Sequence, residues 1–300
     1  MKKYLQKIYT RLILIPFFKI IKKTLIPSER IIKKLKFRGE FEVVTEDNKK
    51  FYLYNNSFYL ENSIFWLGID KFKWENVTRQ IWAQLSQHSE VIFDIGANTG
   101  IFSVLSKVYN KNSKVYSFEP QPNIFKILKR NNQINKFDIK CENIALSNYS
   151  GKSLFYNYGK NTFDSKNTTA GSLNQDWRKD NQFSIKVFVS TLNDYITEYD
   201  IKNIHLMKID VETLEFEVLL GFNKFLHQFK PIIILEIQNS LIGNNITTLF
   251  NKLTYCYFNI NEHLGIVEVN SLTPFSNENR NFLLCPKQKL NVVKNISINI

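Results

Sequence analysis

The chain has 300 residues, 44% of them hydrophobic and 25 of them Phe, which suits one large packed domain of roughly 200–250 residues plus an extension and excludes disorder. Of its 40 basic and 27 acidic residues, 12 and one respectively fall between Met1 and Arg38, so this arm carries +11 of the formal +13 and the body is close to neutral. That distribution argues against a basic nucleic-acid-binding fold, whose positive stripe would lie on the folded domain itself.

Three cysteines without a C-x-x-C pair suit a reducing compartment, and four histidines without H-x-H or H-x-x-x-H spacing give a structural zinc site no support. No run reaches the 18 or so uncharged apolar residues of a membrane span. The apolar stretch Leu12 to Phe18 is broken by Pro16, is at the lower limit of length for a secretory leader and has no small-residue cleavage site behind it, so the expected location is the cytoplasm.

In chain order, the arm comes first. From Lys2 to Ile15, Leu5, Ile8, Tyr9, Leu12, Ile13 and Ile15 share one side of a helical wheel, while Lys3, Lys7 and Arg11 lie opposite. A second stretch, Phe17 to Ile26, and a third, opened by Pro27 and the cap candidate Ser28, repeat the mixture. A basic amphipathic arm over residues 1–38 suits the surface of an anionic membrane on its inner face, or packing on the body or on a second subunit. Residues 39–90 follow as a preface: strands Phe41 to Val44 and Lys50 to Tyr54 joined by a turn at Glu46-Asp47-Asn48, then a helix from Glu75 to His88.

Residues 91–300 form the main domain, and between Glu90 and Ile237 strands and helices alternate, which predicts parallel β-α-β units. Strands are expected at Val91 to Phe93, Lys114 to Phe118, Ile139 to Asn143, Ile204 to Ile209 and Pro231 to Ile237. Helices are expected at Ile101 to Tyr109, Asn123 to Gln133 and Glu215 to Leu220. Thr254 to Ile260 and Asn281 to Cys285 read as a closing antiparallel pair. Residues 151–190 interrupt the alternation as an inserted hairpin or lid, at the strand ends where open α/β sheets bind ligands. Within it, Tyr156 and Lys160 match the spacing of a reductase pair, but that pair needs a helix and this stretch reads as strand running into loop.

The most informative segment, Asp94-Ile-Gly-Ala-Asn-Thr-Gly100, follows a strand and opens a helix. Gly96 and Gly100 permit a sharp turn and close backbone approach to a ligand. Glu119, at the end of the next strand in Phe118-Glu-Pro-Gln-Pro122, is placed to accept both hydroxyls of a ribose. A dinucleotide needs G-x-G-x-x-G to admit its pyrophosphate, and position 98 here is Asn. Asp94 also places negative charge where the pyrophosphate would lie. It suits a cofactor bearing a cationic ammonium and sulfonium, as S-adenosyl-L-methionine does.

Six blocks extend the pattern: Asp94-x-Gly-Ala-Asn-x-Gly, Phe118-Glu-Pro-x-Pro, Asn143-Ile-Ala-Leu-Ser147, Ala170-Gly-Ser-Leu173, Thr191-Leu-Asn-Asp-Tyr195 and Lys208-Ile-Asp-Val-Glu-x-x-Glu215. In this order, over about Val91 to Ile237, they resemble the FkbM-type S-adenosylmethionine-dependent methyltransferases. The resemblance implies a class I methyltransferase (Rossmann-like) α/β fold. Its mostly parallel sheet would have seven strands, the last antiparallel, with helices on both faces and the inserted hairpin and basic helical arm added. It implies O-methylation of a small-molecule or glycan acceptor, and here a sugar or glycan-precursor hydroxyl is expected. Asp94, Gly96, Asn98 and Gly100 would then contact the methionine part of the cofactor, Glu119 the ribose, and Asn143 and Ala145 the adenine region. The alternatives are a nicotinamide-dependent sugar oxidoreductase and an inactive membrane-surface binding protein on the same fold.

The acceptor hydroxyl must lose a proton, and a positioned carboxylate can take it. Asp210, ending the fourth strand, leads the candidates, followed by Glu212 and Glu215. No metal is expected, with Asp210, Glu212 and Glu236 as the alternative hard-cation set. Ser172 is a candidate substrate contact, and His205 reads as a core or strand-edge histidine. The chain departs from the family at Thr213, where Gly is usual. If that position needs φ above zero, a β-branched residue is strained there, unless Thr213 instead caps the following helix.

Overall fold

The computed structural model describes residues 15–24, 27–158, 170–178, 182–274, 276 and 279–298. The helix read from Lys2 lies outside these residues up to Leu14, as do the tip of the insertion at 159–169 and with it Lys160. Two compact units emerge, Met1–Asn76 with Lys129–Phe137, and Val77–Leu128 with Asp138–Ile300.

In the first unit, helices α1 (Ile15–Thr24) and α2 (Glu29–Ile32) precede strands β1 (Arg38–Val44) and β2 (Lys50–Asn56), and α3 (Tyr59–Leu67) follows. The strands pair antiparallel, with Asn48 left-handed in the expected turn. Alternate residues Phe41, Val43, Phe51 and Leu53 are buried, the period of two that a half-covered hairpin requires. Phe18, Phe37, Phe41, Phe65 and Trp66 stack mostly edge to face into the core. The backbone of β2 is matched by two asparagines one helical turn apart. Asn131 accepts from the Tyr54 N–H at 2.7 Å, and Asn135 both accepts from and donates to Tyr52, each at 2.7 Å. Ser28 stands at the α2 N-cap, but its side chain makes no cap bond.

The second unit runs α4 (Asn76–Gln87), β3 (Val91–Ile95), α5 (Ile101–Tyr109), β4 (Lys114–Phe118), α6 (Pro122–Ile134, whose last turns belong to the first unit), β5 (Lys140–Glu142) and β6 (Ala145–Leu146). Then come β7 (Gly151–Tyr158), β8 (Gly171–Ser172), β9 (Gln182–Ser190), α7 (Leu192–Glu198), β10 (Leu206–Ile209), α8 (Glu215–Leu220), α9 (Asn223–Phe229) and β11 (Ile232–Glu236). The unit closes with α10 (Ser240–Phe250), β12 (Tyr255–Asn261), β13 (Gly265–Val269), β14 (Asn281–Pro286) and α11 (Leu290–Lys294).

Its main sheet has the order β13-β12-β14-β11-β10-β3-β4-β5. From β5 to β11 the pairing is parallel, and β14 enters antiparallel between β11 and β12. The seven strands expected are present, and the eighth, β13, is a hairpin partner added outside β12. Residues Ile232 to Leu235 are all buried, as a strand covered on both faces demands. The insertion is an antiparallel β7–β9 hairpin that joins β6 and β8 in a separate four-stranded sheet. Side chains start two of the helices. Thr191 accepts from the Asp194 N–H at 2.9 Å to cap α7, and Asn239 accepts from the Ile242 N–H at 3.0 Å to cap α10. Burial of Ile242, Ile246 and Phe250 then holds α10 in place despite its Gly, Asn and Thr content.

Candidate active site

The loop between β3 and α5 turns through three left-handed residues, Gly96 (φ 77°), Asn98 (φ 54°) and Gly100 (φ 90°). The Gly96 and Ala97 N–H groups donate to the Phe118 carbonyl at 3.0 and 2.9 Å, tying the loop to the end of β4. A Cβ on Gly96 would stand 1.8 Å from the Asp210 carbonyl oxygen, so glycine is required where two strand ends meet. Asp94 is fully buried and accepts from the Ser103 hydroxyl. Burial raises its carboxyl above the ordinary range, and the Lys208 ammonium opposes that shift.

Lys208 carried no role in the sequence reading. It pairs with Asp94 in the β3–β10 register, its side chain is 4% exposed, and its Nζ lies 2.7 Å from Asp210 Oδ2 and 4.5 Å from the Phe102 ring centre. The signal was present: a single cation in the buried run Leu206-Met-Lys-Ile209, where a charge survives only with a partner.

Glu119 follows β4 with 7% exposure. One carboxylate oxygen accepts from the Asn98 N–H at 3.0 Å and the other from the Gln121 N–H at 2.8 Å. Burial pushes this carboxyl up to about 7, with the charges of Asp94 and Asp210 adding to the shift. Asn143 donates to the carbonyls of Glu119 and Pro120 at 2.8 and 3.0 Å, so its amide shapes the loop that presents Glu119. Ala145 is buried in β6. His205 is half-buried in the strand-edge position expected, its Nδ1 accepting from the Val91 N–H at 3.2 Å, and burial lowers its pKa.

After β10 the chain turns through Glu212 (φ 57°) and Thr213 (φ 82°), both left-handed. The position where the family has Gly does require φ above zero, and a β-branched residue is strained in it. Thr213 does not cap α8. Its hydroxyl accepts from the Asn174 amide at 2.9 Å, and its N–H donates to Glu215 Oε1 at 3.3 Å. Glu215 also accepts from the Val211 N–H at 3.2 Å. It is fully buried, and burial raises its carboxyl well above the ordinary range. Ser172, expected to touch substrate, is fully buried and donates to the Glu212 carbonyl at 2.7 Å, which fastens the insertion to this loop.

The alternative metal set is not assembled. Between Glu212 and Glu236 stands the Gln238 amide, which donates to Glu212 Oε2 at 2.6 Å and to Glu236 Oε2 at 2.9 Å. A neutral donor thus occupies the place a cation would need. Among the described residues no three His, Cys, Asp or Glu side chains are grouped to hold a metal ion.

Beside this loop opens a cleft of about 560 Å³, lined by Asn174, Trp177, Thr213, Gln238, Asn239 and Asn245 together with Leu214, Phe216, Leu241, Ile242, Asp176 and Glu217. Three carboxylates, Asp94, Glu119 and Asp210, stand at the carboxyl ends of β3, β4 and β10; the charge of Asp210 adds to the burial that raises Asp94 and Glu119, and the buried ammonium of Lys208 lies beside Asp210. This surplus of negative charge fits a cofactor bearing ammonium and sulfonium cations and opposes a pyrophosphate.

The order of the parallel strands, the antiparallel strand between the last two and the acid-lined glycine loop define a class I methyltransferase domain. The Methyltransferase FkbM domain profile matches residues 94–259, more than half of the chain, and the chain belongs to that family. Family membership displaces the nicotinamide-dependent alternative. Methyltransferase sdnD of Sordaria araneosa is 29% identical over 156 residues, covering 44% of this chain and 60% of the relative. The 31-O-demethyl-FK506 methyltransferase FkbM of Streptomyces tacrolimicus is 28% identical over 155 residues, covering 44% and 59%. The chain therefore spans about three fifths of the length of the curated relatives it matches. Among solved structures, the methyltransferase FkbM from Methylobacillus flagellatus KT aligns with a TM-score of 0.43 at 15% identity, over 65% of this chain and 43% of that one.

Proposed function

We propose that this protein is an S-adenosylmethionine-dependent O-methyltransferase acting on a hydroxyl of a sugar or glycan precursor. The observation that carries the reading is the carboxylate group of the buried Asp94 and Glu119 and the partly exposed Asp210 around a left-handed glycine loop, with Lys208 as its internal cation. Gly96, Asn98 and Gly100 would pass beneath the methionine part, Glu119 would accept the ribose hydroxyls, and Asn143 and Ala145 would border the adenine. When bound, the cofactor supplies a methyl group on a positively charged sulfur. Asp94 and Asp210 make the site electrostatically favourable for that charge, and Asp210, Glu212 and Glu215 are the carboxylates placed near the acceptor. The test is thermal: S-adenosylhomocysteine should raise the melting temperature, whereas NAD(H) and NADP(H) should not. The reverse order would overturn the assignment.

The same protein is proposed to work in the cytoplasm, bound peripherally to the inner face of an anionic membrane through residues 1–38. No helix among the described residues is long and apolar enough to cross a membrane. In α1, Phe18 is buried against Phe37 and Trp66, while Phe17 is 53% and Ile20 65% exposed beside the exposed Lys19. Exposed aromatic and aliphatic side chains among lysines are what an interfacial helix presents to lipid. Deleting the arm would strip Phe18 and Phe37 from the aromatic core. The informative variant is therefore Phe17→Glu with Ile20→Glu, which should stop sedimentation with anionic liposomes at low salt and leave the melting temperature unchanged. If wild type itself stays in the supernatant, the membrane role is wrong.

A further inference from the structure

Three carboxylates follow β10, and their hydrogen bonds sort them. Asp210 is bound to the buried Lys208 ammonium at 2.7 Å. Glu215 is fully buried: its Oε1 accepts from the N–H groups of Val211 and Thr213, and its Oε2 is enclosed without a hydrogen-bond partner among the described residues, so neither oxygen is at a surface an acceptor could reach. Glu212 touches neither the backbone nor a cation at its Oε2; it accepts only from the Gln238 side chain at 2.6 Å, and Gln238 is anchored in turn on Glu236. Burial, then the charge of Asp210, holds Glu212 above the ordinary carboxylate range against the opposing Gln238 bond and the charges of Arg178 and Arg280, which brings a general base closer to neutral pH. Gln238 and Thr213, the hydrogen-bond partner and the chain neighbour of Glu212, are also walls of the cleft, which brings the Glu212 carboxylate beside it.

The cleft has a definite chemistry. Its polar lining consists mostly of side-chain amides, which both donate and accept as hydroxyls do. Trp177 supplies a ring face on which the Arg178 guanidinium stacks at 4.6 Å, and the lining itself holds two carboxylates, Asp176 and Glu217, and no Lys, Arg or His. With two carboxylates in the lining against the one guanidinium beside it, the cleft favours an uncharged, hydroxyl-bearing ring over one carrying phosphate.

We propose that this cleft is the acceptor site, that it takes an uncharged polyhydroxyl ring in preference to a phosphate-bearing one, and that Glu212 is the catalytic base with Gln238 as its positioning residue. The inference rests on the methyltransferase reading. In the step, the acceptor oxygen bonds to the donated methyl carbon and the methyl–sulfur bond breaks, leaving its electron pair on sulfur. The hydroxyl proton passes to the Glu212 carboxylate and from there to water.

The experiment combines single-turnover transfer of labelled methyl with binding measurements on full-length protein. The probes are methyl glycosides of glucose, galactose, rhamnose and N-acetylglucosamine, and the corresponding sugar 1-phosphates. Wild type should methylate at least one methyl glycoside faster than its phosphate. Glu212→Gln should lower that rate about 10²–10⁴-fold while S-adenosylhomocysteine affinity, read by calorimetry, changes less than threefold. Gln238→Leu removes the bond that favours ionised Glu212, so the acid limb of the pH–rate profile should move to higher pH; a merely structural glutamine would not move it. Trp177→Ala should raise the glycoside KM at least tenfold and abolish its saturation-transfer NMR signal. If S-adenosylhomocysteine does not bind wild type, the methyltransferase reading itself fails. If it binds but phosphates are preferred, no glycoside is methylated, Glu212→Gln keeps its rate or Gln238→Leu its pH profile, this inference alone is overturned.

Discussion

The loops leaving β3 and β10 arise from neighbouring parallel strands, touch at Gly96 and the Asp210 carbonyl, and both run through left-handed backbone. They meet the same conformational demand by different means. Residues 96–100 use composition: two glycines, for which φ above zero carries no Cβ penalty, and an asparagine, which tolerates it. Residues 211–213 use tethers. Glu212 and Thr213 are held left-handed by Ser172 on the Glu212 carbonyl, by Asn174 on the Thr213 hydroxyl and by Glu215 on two N–H groups. A loop shaped by its own residues needs outside bonds only as braces, which the Phe118 carbonyl and Glu119 supply. One shaped by tethers depends on segments about 40 positions away, and here those segments belong to the insertion that also lines the cleft.

The largest effect should come from breaking the loop shaped by its own residues. Gly96→Ala introduces a Cβ 1.8 Å from a backbone oxygen at φ 77°, so overpacking and left-handed strain add to about 3 kcal/mol or more of lost stability. Urea denaturation measures it, and a loss under 1 kcal/mol would show that the two strand ends separate easily.

Next comes Glu119, the side-chain brace of that loop. Glu119→Ala should cost about 1.5–3 kcal/mol of S-adenosylhomocysteine affinity for each charged hydrogen bond removed. Because its carboxyl is raised to about 7 by burial, the folded ligand-free protein keeps a proton that the unfolded chain releases near 4.5. The associated stability is complete below that unfolded value and is lost as pH rises through about 7. Ribose hydroxyls donate to the ionised form, so affinity should rise over the same interval. Calorimetry from pH 5.5 to 8.5 would detect this, and a flat profile would remove Glu119 from the ribose role.

Smaller is the effect of cutting a tether. Ser172→Ala leaves the Glu212 carbonyl without its buried donor, at about 1–3 kcal/mol, while S-adenosylhomocysteine affinity should hold because the β3 loop does not use it. A parallel loss of affinity would mean the two loops are one unit.

The contrast also explains what could be read in advance. The helices at Ile101 to Tyr109 and Glu215 to Leu220 and the strand at Lys114 to Phe118 have the expected limits, because apolar periodicity and local glycines specify them. So does the acid-and-glycine loop, whose chemistry is contained in seven consecutive residues. What depends on distant partners was not legible. From sequence, Asp210, Glu212 and Glu236 formed an alternative hard-cation set beside the expectation of no metal, and only the fold shows Gln238 between two of them and Lys208 on the third. Ser172 read as a substrate contact because a lone hydroxyl in an insertion gives no hint of the carbonyl it meets. Helix α10 was missed because its residues favour helix weakly, and packing of Ile242, Ile246 and Phe250 decides the matter. Strand β13 exists as the partner of β12, with only a short, half-buried run of its own.

The finest test concerns Thr213. Left-handed backbone costs a β-branched residue about 1–2 kcal/mol, and the Asn174 bond returns about 0.5–1.5. Thr213→Gly removes both and adds about 0.5–1 kcal/mol of unfolded-state entropy, so its stability should lie within about 1 kcal/mol of wild type. Thr213→Val keeps the strain and loses the bond, and should be the less stable of the two. The two single variants do not by themselves establish that the tethers hold strain; the double variant does. If Ser172 is needed to keep Glu212 and Thr213 left-handed, relieving the strain at 213 should reduce what Ser172→Ala costs, giving a coupling of a few tenths to 1 kcal/mol in a double-mutant cycle. Equal costs in the wild-type and Thr213→Gly backgrounds would mean that the β10 loop holds its shape as independently as the β3 loop does.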